Sequence, residues 1–197
     1  MGAMSWILLA TGLLVLFWAV GAYNRLVRLR NAIANAFGQI DVQLKRRYDL
    51  IPNLVEVARK YLAHEAQTLE AVIAARNQAH KAEQSAAGSP LNAGAIGALA
   101  GAEQVLGGAL GRLFAVAEAY PDLKADQTMR ELSEELSSTE NRIAFARQAY
   151  NDHALEFNDA AQQFPTLVVA RLFNFQPQAM LEATSSEAER APVKVGF

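Results

Sequence analysis

Residues 129–164 read MRELSEELSSTENRIAFARQAYNDHALEFNDAAQQF, and a large apolar side chain recurs there at every seventh position. Such a repeat keeps one apolar seam on one side of a long helix and is typical of coiled-coil packing against partner helices. Pro165 follows the last member and ends the pattern. The stretch therefore predicts a helix over residues 122–164 inside a helical bundle. The members of the seam are Met129, Leu136, Ile143, Tyr150, Phe157 and Phe164.

A second helical pattern runs from about residue 24 to residue 84 and contains one proline, Pro52. The apolar register passes through Pro52 unbroken, and a reversal there would carry the end of the helix back to the membrane. We therefore predict a kink or short break near residues 48–52 in a roughly collinear rod, with a complete reversal as the alternative. The apolar positions are Ile33, Phe37, Ile40, Leu44, Tyr48, Ile51, Val55, Ala58 and Leu62.

Charged residues crowd the chain just before that proline, in the sequence KRRYDLIP of residues 45–52. Three adjacent cations point in three directions around a helix, so they do not form the single basic stripe that would follow a phosphate backbone. We expect ion pairs to Asp49, to Glu56 or to another helix. We interpret Arg46, Arg47, Asp49 and Pro52 as a structural joint between a membrane stalk and the bundle.

The loop AAGSPLNAG, residues 86–94, separates this pattern from a helix predicted over residues 93–119. That helix carries two GxxxG pairs. Glycine inside a helix costs about 1 kcal/mol relative to alanine, so such glycines usually allow another helix to approach closely. We predict this role for Gly97, Gly101, Gly107 and Gly111.

Residues 1–23 decide where the protein is located. Met4 to Tyr23 carry no charge, and roughly 20 helical residues span about 30 Å, the thickness of the hydrocarbon core. A cleaved signal peptide is the alternative, but the chain has no Lys or Arg before the apolar run. Three arginines follow the run, at positions 25, 28 and 30. By the positive-inside rule we expect a single-pass membrane protein with the N-terminus outside and the bulk in the cytoplasm.

Several classes of activity lack the residues that they require. The chain has no cysteine and a net charge of −2, which argue against thiol chemistry and against a general affinity for nucleic acid. His64-Glu65 does not extend to the zinc motif HExxH, and no GxSxG nucleophile motif occurs. We predict no enzyme activity, no catalytic residue, no metal and no cofactor.

A polar stripe flanks the apolar seam of the helix over residues 122–164. Glu140, Arg147, Asn151 and Asn158 fall within about 40° of one another at 100° per residue. They either fix the register of a neighbouring helix or line a ligand groove. Residues 166–197 form a tail whose Val193, Val195 and Phe197 alternate like a short strand, and we expect it to dock either within the chain or on a neighbour.

Three stretches resemble the signature of the LemA family: IDVQLKRRYDLIPNLV (residues 40–55), STENRIAFARQAYN (138–151) and the terminal VKVGF (193–197). The similarity extends over essentially the whole chain after the apolar segment. Phe37 and LFNFQP (172–177) depart from the family pattern, and both bear on packing. The resemblance implies an N-terminally anchored bacterial membrane protein with a cytoplasmic helical bundle, and it brings no settled biochemical activity.

Taken together, these patterns predict an all-α protein with one N-terminal transmembrane helix (residues 1–23), an elongated antiparallel bundle (24–165) and a tail (166–197). The function that we expect is a non-enzymatic scaffold that self-associates and organises the membrane or partner proteins. The alternative is a membrane-tethered sensory or adaptor module that binds a ligand or protein at the polar stripe. The expected partners are the lipid bilayer, further copies of the chain and an unidentified membrane protein.

Overall fold

The computed structural model describes residues 2–181, apart from the side chain of Ser5, and this part of the chain is helical. The predicted all-α fold, with a long apolar N-terminal helix and a packed bundle, is confirmed. Val193, Val195 and Phe197 lie outside the described residues. The helices are α1 (Ala3–Arg59), α2 (Ala66–Gly88), α3 (Ala93–Ala117), α4 (Pro121–Ala125), α5 (Gln127–Gln162) and α6 (Thr166–Leu172).

Helix α1 contains both the apolar segment and the first helix of the bundle. Its 57 residues extend about 86 Å without interruption. The large apolar side chains between Met4 and Val20 are exposed, and this end of α1 is long and apolar enough to cross a membrane. From Leu26 onward α1 buries one face, and all nine residues of the predicted apolar stripe are buried.

Pro52 lies inside α1, on its exposed side, and the helix continues to Arg59. The chain then reverses through residues 60–65, so the predicted collinear rod to residue 84 is wrong. Helix α2 runs back along α1, and its 23 residues extend only about 34 Å. Because the reversal comes after Pro52, α2 ends short of the membrane, which removes the steric objection to a hairpin.

The long helix predicted over residues 122–164 is divided in two. The short α4 comes first, and Asp126 then caps α5 by accepting a hydrogen bond from the Met129 amide at 2.9 Å. Helix α5 packs along α1 and buries five of the six residues of the apolar seam. The sixth, Phe164, is 84% exposed because α5 ends at Gln162. Residues that precede a proline are disfavoured in the helical region, which accounts for the early end.

Helix α3 packs mainly against α2 and runs parallel to the second half of α1. It too is long and apolar enough to be a membrane span by composition, but it buries one apolar face against the bundle, which consists of Ile96, Leu99, Leu106, Leu110 and Leu113. The four predicted glycines lie on its exposed surface. A Cβ added at any of them would meet no heavy atom within 4 Å, so no helix in residues 2–181 approaches them closely.

Candidate functional site

The cationic sequence before Pro52 connects α1 to the other long helices. Lys45 Nζ lies 2.6 Å from Asp41 on α1 and 3.7 Å from Glu83 on α2, whereas Arg46 pairs with Glu135 on α5. Adjacent positions on a helix are 100° apart, so these side chains reach different neighbours. Ion pairs to other helices, one of the predicted alternatives, therefore form beside one within α1 to Asp41, and Asp49 is exposed.

Arg47 is the buried member of this group, with 5% of its side chain exposed. Its Nη1 donates to Glu103 Oε2 on α3 at 2.5 Å. Its Nε lies 2.8 Å from Glu140 Oε1 on α5, close enough for an ion pair but outside hydrogen-bond alignment. The hydroxyl of Tyr48 donates to the other oxygen of Glu103 at 2.6 Å. Burial, reinforced by this carboxylate, raises the pKa of Tyr48 and keeps the phenol protonated.

Pro52 leaves a gap in the hydrogen bonding of α1, and α2 fills it. In a regular helix the amide of residue 52 would donate to the carbonyl of Tyr48, but proline has no N–H. The Nε of Arg76 on α2 donates to that carbonyl at 3.0 Å. One turn further along α2, the ring of His80 meets the ring of Tyr48 edge-on, with centroids 5.4 Å apart. The proline therefore creates an acceptor at which α2 attaches to α1.

A buried carboxyl pair lies on the other side of the α1/α2 interface. The side chain of Glu83 is 0% exposed, and neither of its oxygens has a hydrogen-bond partner in the described structure. Burial, together with the nearby Asp41 carboxylate, raises the pKa of Glu83 to about 7. Burial also raises the pKa of Asp41, but the neighbouring Glu83 carboxyl and Lys45 ammonium outweigh it and the net shift is downward. The two pKa values therefore move apart, and Glu83 retains its proton to a higher pH than Asp41 does.

Helices α3 and α5 stand on either side of α1 and leave a groove between them. Its deepest part is a cavity of about 250 Å³ whose polar lining consists of Arg47, Glu103, Glu140 and Arg147. Partial desolvation raises the pKa of Glu140, and the Arg47 guanidinium opposes that shift. The rest of the lining is mainly apolar. A cavity with charges at one side and an apolar floor can accommodate a small amphipathic molecule or a side chain. The remaining lining residues are Ile40, Leu44, Leu99, Ala100, Gly107, Ile143 and Leu181.

The polar stripe on α5 serves two different purposes. Asn158 exchanges two hydrogen bonds with the backbone of Gln178, at 2.7 and 3.0 Å, and Asn151 does the same with Leu181, at 2.8 and 2.9 Å. Residues 175–181, called the strap below, are thereby held along α5. Arg147 and Glu140 lie about one turn and three turns before Asn151 on α5, and they face the cavity instead. The asparagines thus contact the tail of the chain and not a neighbouring helix.

The structure brings together some of the predicted site residues and separates others. Arg47, Gly107, Glu140 and Arg147 meet at the cavity, and Gly111 lines the next part of the same groove. Gly97 and Gly101 line neither of these cavities. Among residues 2–181, no group of three or more His, Cys, Asp or Glu side chains could hold a metal ion.

Several residues at these contacts were not predicted from the sequence, among them Arg76, Glu83 and Glu103. Glu103 had a signal, because it is the only acidic residue in an otherwise apolar helix. Arg76 and Glu83 lie among the polar residues of α2 and look like solvent-exposed charge in the sequence. Their roles follow only from the antiparallel packing of α2 against α1.

Comparison with known proteins gives a consistent picture. The model of the LemA family matches residues 36–197. Protein LemA of Metamycoplasma hominis is 30% identical over 177 residues, covering 90% of this chain and 75% of that protein. Magnetosome protein MamQ of Magnetospirillum gryphiswaldense is 28% identical over 169 residues, or 78% of this chain. Two MamQ proteins of Paramagnetospirillum magneticum match equally well. This chain spans 62% of the length of the MamQ proteins.

Proposed function

Because the chain belongs to the LemA family, we propose that it is a non-enzymatic, membrane-anchored scaffold that self-associates and organises the membrane or partner proteins. The observation that carries this proposal is the continuity of α1 from its apolar end to Arg59. A single helix couples the bundle mechanically to the bilayer, since no flexible linker absorbs the motion of either part. LemA is not a known enzyme family, and relatives of this chain are named as magnetosome proteins, which supports a role at a membrane.

Self-association is supported by the exposed surface of α3. Gly97 and Gly101 are exposed, each costs about 1 kcal/mol of helix stability, and no packing within residues 2–181 compensates for that cost. A second copy of α3 that lies against these small residues would provide such packing. In this proposal the tail residues Val193, Val195 and Phe197 dock within the chain or on the neighbouring copy.

The test is the mass of the full-length protein in mild detergent, measured by mass photometry. We expect oligomers of the wild type, and we expect dissociation when Gly97 and Gly101 are both replaced by leucine. The matched control is Gly38→Leu, because Gly38 is also a helical glycine whose added Cβ would meet nothing within 4 Å. A wild type that is monomeric throughout, or a control that dissociates equally, would contradict self-association through α3.

The orientation proposed for this scaffold places the bundle in the cytoplasm of a bacterial cell, at the inner membrane. Arg25, Arg28 and Arg30 follow the apolar part of α1, and positive charges are retained on the cytoplasmic side. A fusion of alkaline phosphatase to the C-terminus should therefore be inactive in cells. An active fusion would reverse the orientation and leave the scaffold proposal intact.

The second candidate is a sensory or adaptor module, and the cavity between α3 and α5 is the observation that favours it. Asn151 and Asn158 are engaged with the strap, so binding would depend on Glu140 and Arg147. A thermal-shift screen of small molecules should then give a compound that stabilises the wild type and has no effect on Arg147→Gln. Because Arg147 is partly exposed, this replacement should change stability by less than about 1 kcal/mol. Compounds that stabilise both proteins equally would exclude this site.

A further inference from the structure

Four large apolar side chains are exposed on α6 and on the residues beside it. Phe164 is 84% exposed, Leu172 77%, Val168 57% and Phe173 55%. Single exposed apolar residues are common, but a group of four within ten residues marks an interaction surface. These four residues are called the α6 patch below.

The patch lies where the apolar part of α1 ends. Tyr23 is the last residue of the predicted span, and its ring centroid is 4.8 Å from that of Phe173 and 5.7 Å from that of Phe175. Helix α6 packs against both α1 and α5 and buries Val169 and Ala170 on that side. Since α6 is only about 10 Å long, the whole patch remains near the level of Tyr23. Tyrosine and tryptophan at the end of a span mark the headgroup region of the bilayer.

The segment that carries the patch has a positive charge and no negative one, and the nearest acidic residue before it is the exposed Asp159 near the end of α5. Residues 160–181 contain no Asp or Glu, and Arg171 is their only cation. On α1, Arg25, Arg28 and Arg30 follow directly after Tyr23. Apolar side chains combined with cations and without acids are typical of helices that lie in the interface of a membrane with anionic lipids.

We propose that α6 is a second membrane contact of this chain. The α6 patch inserts into the headgroup region of the same bilayer that α1 crosses, and Arg171 binds the phosphate of an anionic lipid. The inference rests on the proposed anchor. It adds that the bundle has a fixed orientation relative to the bilayer. A single span allows the bundle to tilt, whereas a second contact beside it restricts tilt and rotation about α1.

The absence of cysteine from the chain provides a direct test, because any introduced cysteine is the only thiol. Full-length Leu172→Cys and Val168→Cys proteins are labelled with an environment-sensitive fluorophore and reconstituted into vesicles of phosphatidylethanolamine and phosphatidylglycerol. Nitroxide-labelled lipids in these vesicles quench the fluorophore where it contacts the bilayer. Both positions are exposed, so neither label disturbs the core.

Two further positions serve as controls. Phe145→Cys labels another exposed aromatic position, 74% exposed on α5 and about 26 Å along that helix from its end at Gln162. Leu13→Cys labels the centre of the proposed span. We expect quenching by nitroxide lipids to be severalfold greater at residues 168 and 172 than at residue 145, with a blue shift of emission at the first two positions.

The outcomes of this experiment distinguish failure of the anchor through α1 from failure of the membrane contact through α6. If residue 13 is quenched but residues 168 and 172 behave like residue 145, the anchor stands and the contact through α6 is refuted. If residue 13 is not quenched either, the proposed anchor fails with it. Blue-shifted emission at residue 172 without lipid quenching would mean that protein covers the patch, and this also overturns the proposal.

Discussion

Replacing Glu83 with glutamine tests whether a buried carboxyl makes the stability of the bundle depend on pH. The Glu83 side chain is 0% exposed and lies 3.7 Å from Lys45 and 3.3 Å from His80 Nδ1, with Asp41 facing it from α1. Burial and the Asp41 carboxylate raise the pKa of Glu83 from 4.5 to about 7. The folded protein therefore binds this proton more tightly than the unfolded chain does.

The direction and size of the effect follow from the two pKa values. Because the folded pKa is the higher one, the stabilisation is fully present below about pH 4.5 and is lost as the pH rises through about 7. A difference of about 2.5 units, at about 1.36 kcal/mol per unit, corresponds to roughly 3 kcal/mol. Glutamine cannot ionise, so Glu83→Gln should be more stable than the wild type above pH 7, by up to about this amount.

The measurement is urea denaturation of the full-length protein in detergent, followed by circular dichroism at several values between pH 4 and pH 8. The quantity of interest is the wild-type free energy of unfolding minus that of the variant, because titrating groups that do not interact with Glu83 cancel in this difference. The matched control is Glu70→Gln, since Glu70 is an exposed glutamate on the same helix. If the difference does not change with pH, or if Glu83→Gln is the less stable protein at pH 8, then Glu83 is ionised and paired with Lys45 and the reasoning is refuted.

Three further predictions test the contacts made by α1 and α5 with urea denaturation. Arg76→Met should lower the free energy of unfolding by about 1–3 kcal/mol because it leaves the Tyr48 carbonyl unpaired. In a Pro52→Ala background the amide of residue 52 can donate to that carbonyl, so the same replacement should lower it little. Equal losses in both backgrounds would contradict this prediction. Arg47→Met should lower the free energy of unfolding by about 3–5 kcal/mol because it leaves the Glu103 carboxylate without a cation, and a loss below about 1 kcal/mol would argue against a buried ion pair. Asn158→Ala should cost about 1–3 kcal/mol and speed hydrogen exchange at the Gln178 amide, whereas unchanged protection would mean that the strap is held elsewhere.

The contacts of α1 explain how the helical bundle keeps its shape. Consecutive side chains of one helical turn bind α2, α5 and α3 in succession, through Lys45, Arg46 and Arg47. These ion pairs therefore meet on α1, the same helix that contains the apolar N-terminal segment. A partner that displaced α3 or α5 would therefore act directly on α1.

The helix class and the presence of an apolar helix long enough to span a membrane were determined by the sequence itself, because both depend on local periodicity and composition. Every residue of the apolar stripe between Ile33 and Leu62 is buried, and five of six seam residues on α5 are buried as well. The position of the reversal was not predictable in this way. Residues 60–65 read KYLAHE, without glycine or proline, so no local turn signal marks the place where the chain changes direction.

Only the tertiary structure decided which groups meet. The sequence shows that Pro52 lacks an amide, but the guanidinium that satisfies the Tyr48 carbonyl belongs to Arg76, 28 residues away in the chain. The same is true of Glu83 and Glu103, whose partners lie on other helices. A helix presents its side chains at angles that its own sequence fixes, whereas the choice of partner depends on how the helices are placed against one another by burial of their apolar faces. For that reason the sequence drew attention to Pro52, whereas only the packing of α2 against α1 shows that the proline lies within a continuous helix and which group pairs with the carbonyl it leaves free.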